Sequence, residues 1–182
     1  MADSPPQFNH EDADQRDEAV LRYALTLASK SPPKPTNYRV GAVLVDIQSG
    51  TVTSTGYTLE LEGNTHAEQC AFSKLATRLG VDEGEGLARA MDGKAHALYT
   101  TMEPCVKRLS GNKPCVNRVL EQKNWVRRVV TGVVEPEDFV TGNDGRQKLL
   151  HAGLEVLHYG GLESEILSIA RAGHDGEGGR VM

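Results

Sequence analysis

The sequence predicts an α/β domain of three layers, with helices on both faces of a central mixed sheet of about five strands. Strand-length runs rich in Val and Thr alternate along the chain with segments whose apolar residues recur at helical spacing. Clusters of Gly, Pro, Asn and Ser separate them. A length of 182 residues is enough to bury one substantial core but too short for two full-size catalytic domains.

Residues 1–14 are polar, acidic and Pro-containing, and they predict a loose arm ahead of a single domain over residues 15–172. Val20, Ala24, Leu27 and Ala28, with Leu21 and Leu25 beside them, predict an amphipathic helix that Ser31-Pro32-Pro33 stops. The apolar run Val40 to Val45 and the β-branched stretch Thr51 to Tyr57 predict a hairpin, with Gln48-Ser49-Gly50 as its turn. From His66 to Leu79, Ala67, Cys70, Ala71, Phe72 and Leu75 predict a helix, with Asn64 or Thr65 as its N-cap. Gly80 to Lys94 is Gly-rich and acidic apart from a short turn at Leu87 to Met91, and it reads as a solvated excursion. Beyond it come a strand over Ala95 to Thr101, a helix over Cys115 to Gln122 and a strand over Val126 to Val134. A helix over Arg146 to Ala152, a strand over Leu154 to His158 and a helix over Leu162 to Ala170 complete the alternation. The Gly-rich, apolar-poor segment 173–182 reads as a mobile tail; a lid that brings His174 or Arg180 to a ligand is the competing reading.

With 20 basic and 25 acidic side chains, a net charge of -5 and a pI near 5.7, the chain has no global attraction to a phosphate backbone, so no nucleic-acid partner is expected. Three cysteines at uneven spacing do not make a disulfide framework. Apolar runs of strand length and an N-terminus without basic and apolar regions predict a soluble, cytoplasmic protein without membrane contact.

His66, Cys105 and Cys115 supply three ligands of the kind a catalytic zinc ion uses, leaving a fourth position open. Glu68, two residues from His66 on the same predicted helix, points elsewhere and can carry protons. His66-Ala67-Glu68 followed by Pro104-Cys105 resembles the His-x-Glu and Pro-Cys-x-x-Cys signature of zinc deaminases, with nine residues, Val106 to Pro114, where that signature has two. The resemblance implies a cytidine-deaminase-like fold and Zn2+ as cofactor. It also implies hydrolysis at an amidine-like ring carbon, with Glu68 as proton carrier. A closed structural zinc site is the competing reading, but no fourth ligand stands at standard spacing. Cys70, four residues after His66, reads as a small buried thiol, and the other five histidines have no ligand spacing.

The long stretch Thr101-Met102-Glu103-Pro104-Cys105 to Arg108-Leu109-Ser110-Gly111-Asn112-Lys113-Pro114-Cys115 resembles the deaminases of fungal riboflavin biosynthesis. Asn37-Tyr38-Arg39-Val40-Gly41 is similar to that family's Asn-Pro-x-Val-Gly, with Tyr38 in place of the proline. The likeness runs from about Asn37 to Val134. It implies a small phosphorylated pyrimidine substrate, 2,5-diamino-6-ribitylamino-4(3H)-pyrimidinone 5'-phosphate, and a homodimer. Bacterial relatives fuse the deaminase to a reductase, and the residues after 170 are too few for one, so the stand-alone fungal arrangement is expected. Substrate contacts are expected from Asn37, Arg39, Ala67, Lys107, Arg108, Ser110 and Asn112, the basic ones holding phosphate through charge-assisted hydrogen bonds. Lys113 is a further basic candidate, and Glu103 is expected to orient the cysteine-bearing turn. A nucleoside, nucleotide or tRNA deaminase and a non-catalytic zinc-binding subunit are the alternatives.

Overall fold

Asp12 sets the first helix, α1 (Ala13–Ala28), by accepting hydrogen bonds from the backbone N–H groups of Asp14 and Gln15 at 2.9 and 3.0 Å. The computed structural model describes residues 6–134 and 144–174, so residues 1–5 of the expected arm lie outside the described residues. Residues 6–8 of that arm run along the hairpin: Phe8 N–H donates to Gly50 O (2.9 Å), Val52 N–H donates to Pro6 O (3.0 Å), and the Phe8 ring packs on Tyr23.

The hairpin strands β1 (Gly41–Asp46) and β2 (Val52–Tyr57) pair antiparallel, and β1 pairs antiparallel with β3 (His96–Met102) on its other edge. Strands β3, β4 (Val126–Val133) and β5 (Glu155–His158) are mutually parallel, which gives a mixed five-stranded sheet in the order β2-β1-β3-β4-β5. Every residue of β3 is buried, as expected of a central strand covered on both faces.

Helices α2 (Ala67–Leu79), α3 (Glu85–Ala90), α4 (Cys115–Glu121) and α5 (Gly145–His151) cover one face, where Phe72, Leu75, Leu87, Val119 and Trp125 pack on Leu44, Leu98 and Val129. Helices α1 and α6 (Glu163–Ala170) cover the other, with Leu21, Leu25 and Ile166 against Val43, Tyr99 and Val130. Each such side chain contributes roughly 1.5–3 kcal/mol by leaving water. The expected three layers are present.

The solvated excursion is overturned. Residues 85–90 form α3, and Leu87 (0% exposed) and Met91 (7%) are buried in the core beside α2. Asp82 closes the preceding turn by accepting from the N–H groups of Gly84 and Gly86, so the acidic and Gly-rich residues serve the turn while the two apolar side chains anchor it. Of the expected mobile tail, Gly173 and His174 are described and 175–182, with Arg180, lie outside the described residues.

Candidate active site

The carboxyl end of β3 and the first turns of α2 and α4 converge, as ligand sites do beside parallel strands. The turn into α2 is set by Leu59, which adopts φ 63° and donates its N–H to Thr65 O at 2.8 Å. Thr65 donates its hydroxyl to Leu61 O, and Asn64 points elsewhere, so neither caps α2 as expected; His66 itself takes the N-cap position, with no side-chain cap bond. Its imidazole is thereby free to face the cysteines.

Cys105 follows β3 across Glu103-Pro104, and Cys115 opens α4. The nine-residue separation closes because Val116 N–H donates to Cys105 O (3.1 Å) and Cys115 N–H points at Cys105 Sγ (3.5 Å). His66 Nδ1 lies 3.6 Å from Cys105 Sγ and 3.5 Å from Cys115 Sγ. Tetrahedral bonds of zinc to one nitrogen and two sulfurs would separate the donors by about 3.6 Å. Both nitrogen–sulfur distances match those around a zinc ion, and the three donor atoms all lie within 4.8 Å of one another. Among the described residues no fourth His, Cys, Asp or Glu joins the group. Cys70 stays outside it, fully buried, with its thiol pushed up by that burial.

The two thiols share a proton. The hydrogen bond from Cys115, then His66, draws Cys105 down to about 4, while Cys115, donating to Cys105 and wholly buried, is held well above the ordinary thiol range. Glu68 is only 3% exposed. Burial first, and the negative charge of Cys105 second, push its carboxyl above the usual range, against the opposing pull of His66. Thr100 lies beneath it, Oγ1 at 3.4 Å from Glu68 Oε1, while the Thr100 hydroxyl bonds Met102 O at 2.8 Å.

His66, Glu68 and Cys105 line a cleft of about 470 Å3. Asn37, Tyr38 and Asn64 also line it, together with Lys107, Arg108 and Ser110 of the inter-cysteine loop. Asn37 donates from Nδ2 to Asn64 Oδ1 (2.8 Å). Lys107 is exposed and makes no hydrogen bond or ion pair with the described residues. Arg108 is buried: Nη1 donates to Gln69 Oε1 at 2.8 Å, Nη2 donates to Asn64 O, and Nε has no partner. Asn112, outside the cleft lining, reaches toward Asn64 O at 3.5 Å and braces the loop. Glu103 lines the cleft and ties its N–H to Val133 O. Lys113 instead pairs with Glu121.

Besides Asn112, two expected contacts fall outside the cleft. The Arg39 guanidinium donates to Ser31 O (2.8 Å) and Ser29 O (2.5 Å), outside the cleft, because the carboxyl end of α1 leaves carbonyls that need donors. Ala67, 0% exposed, faces the core at the start of α2. Conversely, Asn64 and Tyr38 shape the cleft without having been expected as contacts, and His174, expected near a ligand only under the competing lid reading, lines it too: His174 donates from Nε2 to Asn37 O (2.9 Å), with its ring centroid 4.8 Å from that of Tyr38. The Gly-rich surroundings of His174 carry no spacing that would mark it, and Asn64 looks like an ordinary cap.

The sequence model of the cytidine and deoxycytidylate deaminase zinc-binding region matches residues 14–133. A diaminohydroxyphosphoribosylamino-pyrimidine deaminase of Schizosaccharomyces pombe is 38% identical over 167 residues, which cover 92% of this chain and 36% of the relative. The chain thus spans about a third of that relative's length. The crystal structure of Aspergillus oryzae Rib2 deaminase, a C-terminal deletion mutant at pH 4.6, superposes with a TM-score of 0.79 at 43% identity over 88% of this chain and 93% of that one. The same deaminase in complex with DARIPP gives 0.77 at 42% identity, covering 87% and 92%. The matched stretch holds His66, Glu68, Cys105 and Cys115 and every element from β1 to β4, and the chain belongs to the family of the cytidine and deoxycytidylate deaminase zinc-binding region.

Proposed function

We propose that this chain is a zinc-dependent hydrolytic deaminase that removes the 2-amino group of 2,5-diamino-6-ribitylamino-4(3H)-pyrimidinone 5'-phosphate in riboflavin biosynthesis. The observation that carries this reading is a buried carboxylate, Glu68, beside a three-donor metal constellation in a cleft that an exposed cation, Lys107, also lines. The DARIPP complex of the similar Aspergillus oryzae deaminase supports the choice of a pyrimidine of this kind.

His66, Cys105 and Cys115 would hold Zn2+. Bound there, the ion would supply the Lewis acidity that makes water nucleophilic near neutral pH. Glu68 takes one proton from the attacking water, gives it to the ring nitrogen beside the carbon under attack, and then carries the proton left on the added hydroxyl to the departing amine. The C–N bond breaks, ammonia leaves and a carbonyl remains, with one water consumed. Burial of Glu68 keeps bulk solvent from competing for that proton. Asn37 and Ser110 offer an amide and a hydroxyl to the ribityl chain, and Lys107 offers its ammonium to the phosphate.

The thiolates favour a reducing, cytoplasmic setting, and the resemblance favours a homodimer, which sedimentation equilibrium would test. Among the described residues no helix is long and apolar enough to cross a membrane. Ammonia release is expected from the diamino-ribityl pyrimidine phosphate in preference to cytidine, deoxycytidylate or guanine. Glu68→Ala is expected to keep zinc and lose turnover by about 100-fold or more. Preference for one of the other three substrates would overturn the substrate assignment; full turnover in zinc-loaded Glu68→Ala would overturn the mechanism.

A further inference from the structure

We propose that Arg108 is a positioning residue for the metal site, a latch that locks the long inter-cysteine loop to the segment carrying His66 and Glu68, and that it does not hold the substrate's phosphate. This rests on the reading of His66, Cys105 and Cys115 as metal ligands.

Apart from the backbone bond that joins its ends, the partly buried Val106 and the reach of Asn112 toward Asn64 O, the loop between the cysteines is largely exposed. Lys107, Ser110, Gly111 and Asn112 are exposed, and Leu109 is 98% exposed. Ordering a backbone costs roughly 1–2 kcal/mol per residue, so a loop this long needs an anchor if its two cysteines are to keep a fixed separation. Arg108, at 9% exposure, is the buried side chain among residues 107–112.

Its bonds land on both sides of the site. Asn64, whose carbonyl accepts from Nη2, precedes His66 by two residues; Gln69, whose Oε1 accepts from Nη1 at 2.8 Å, directly follows Glu68. One rigid, planar guanidinium therefore spans the stretch that holds both the nitrogen ligand and the proton carrier. It does so from a position three residues past Cys105. Asn64 extends the brace, because its side chain accepts from Asn37, which also lines the cleft. Both terminal nitrogens of Arg108 are taken by protein acceptors and its Nε is buried, whereas Lys107 stands exposed beside it.

The test uses Arg108→Ala, Gln69→Leu and the double variant. Zn2+ affinity is measured by competition with a chromophoric chelator, ligand geometry by the visible absorption of the Co2+-loaded proteins, and folding by the melting temperature of the metal-free proteins. Loss of a group that orients metal ligands weakens metal binding by about 10- to 100-fold. That loss is expected for Arg108→Ala, with altered Co2+ bands and a metal-free melting temperature close to the parent's. Gln69→Leu should show a smaller loss, and the double variant should be no weaker than Arg108→Ala because both remove one latch. Turnover should fall by the same factor on the phosphorylated and dephosphorylated pyrimidines. Unchanged Zn2+ affinity and Co2+ spectra would overturn the latch. So would a metal-affinity loss that only follows lost metal-free stability, or an effect confined to the KM of the phosphorylated substrate. If Arg108→Ala does not fold, Gln69→Leu decides by the same readings. Absence of deamination on this pyrimidine leaves the metal measurements intact, so failure of the substrate assignment is separately visible.

Discussion

Three cations expected to meet the substrate, Arg39, Lys107 and Arg108, have the same charge and three different employments. Arg39 satisfies the carbonyls at the end of α1 and Arg108 is engaged by Asn64 and Gln69, which leaves Lys107 exposed and unengaged in the cleft wall. The phosphate of the proposed substrate is therefore expected at Lys107. The replacement Lys107→Ala is expected to raise KM for the phosphorylated pyrimidine by about tenfold, the order of one charge-assisted hydrogen bond, with kcat within about threefold. On the dephosphorylated compound the same variant should match the parent, because an ammonium that faces only phosphate has nothing to lose there. Steady-state kinetics on the two substrates check this. Equal KM changes on both would place Lys107 against the ring or ribityl chain instead.

At the scale of elements, the site depends on how closely α2 lies against β2. A Cβ on Gly56 would sit 2.1 Å from Ala67 O and 2.6 Å from Ala71 N, backbone atoms that cannot swing aside. Gly56→Ala must push the first turn of α2 outward, carrying His66 and Glu68 with it. Overpacking of this kind costs about 1–3 kcal/mol, or a melting temperature lower by about 3–10 °C in a chain of this size. Turnover at a temperature where the variant is fully folded should fall as well, and unchanged turnover there would show that α2 can retreat without moving the site. This close approach also explains what could be read in advance. Apolar spacing alone marks α1, with Val20, Leu21, Ala24, Leu25 and Ala28 on its buried face, and the β-branched runs mark β1, β2 and β4. The motif residues announce the metal donors because zinc restricts ligand chemistry whatever the fold. What escapes is tertiary. Leu87 and Met91 are too few to outweigh the Gly and acidic residues around them, and only their burial beside α2 reveals α3. Arg39 and Arg108 look alike as sequence, because their carbonyl partners, at Ser29 and Ser31 for one and at Asn64 for the other, are fixed only by the folded path of the chain.

Across the whole molecule, the central strand separates chemistry from stability. Neighbouring residues of β3 face opposite sides. Thr100 lies under Glu68, while Tyr99 turns to the α1 side and donates its hydroxyl to Asp17 at 2.8 Å. Arg128 of β4 grips the same carboxylate with both terminal nitrogens, at 2.7 and 2.8 Å, and reaches Glu155 of β5, so this network ties α1 to three strands. Burial, then Asp17, pushes the Tyr99 phenol up to about 12. An unfolded tyrosine ionises near pH 10, so the folded state holds the proton more tightly; the associated stability is fully present below about pH 10 and is lost as pH rises toward about 12. That shift corresponds to about 2–3 kcal/mol, a melting-temperature fall of about 5–10 °C across the interval. His96 limits stability from the acid side. Burial lowers its pKa below the ordinary value of 6.5, so stability is present above pH 6.5 and is lost as pH falls through the folded value. Thermal melts as a function of pH should show a plateau between these limbs. Tyr99→Phe should start from a lower plateau, having lost the bond to Asp17, and show a shallower alkaline decline, while His96→Gln should flatten the acid limb and leave the alkaline one. An alkaline decline of full size in Tyr99→Phe would trace that limb to other groups and detach the Asp17–Tyr99–Arg128 network from the pH response.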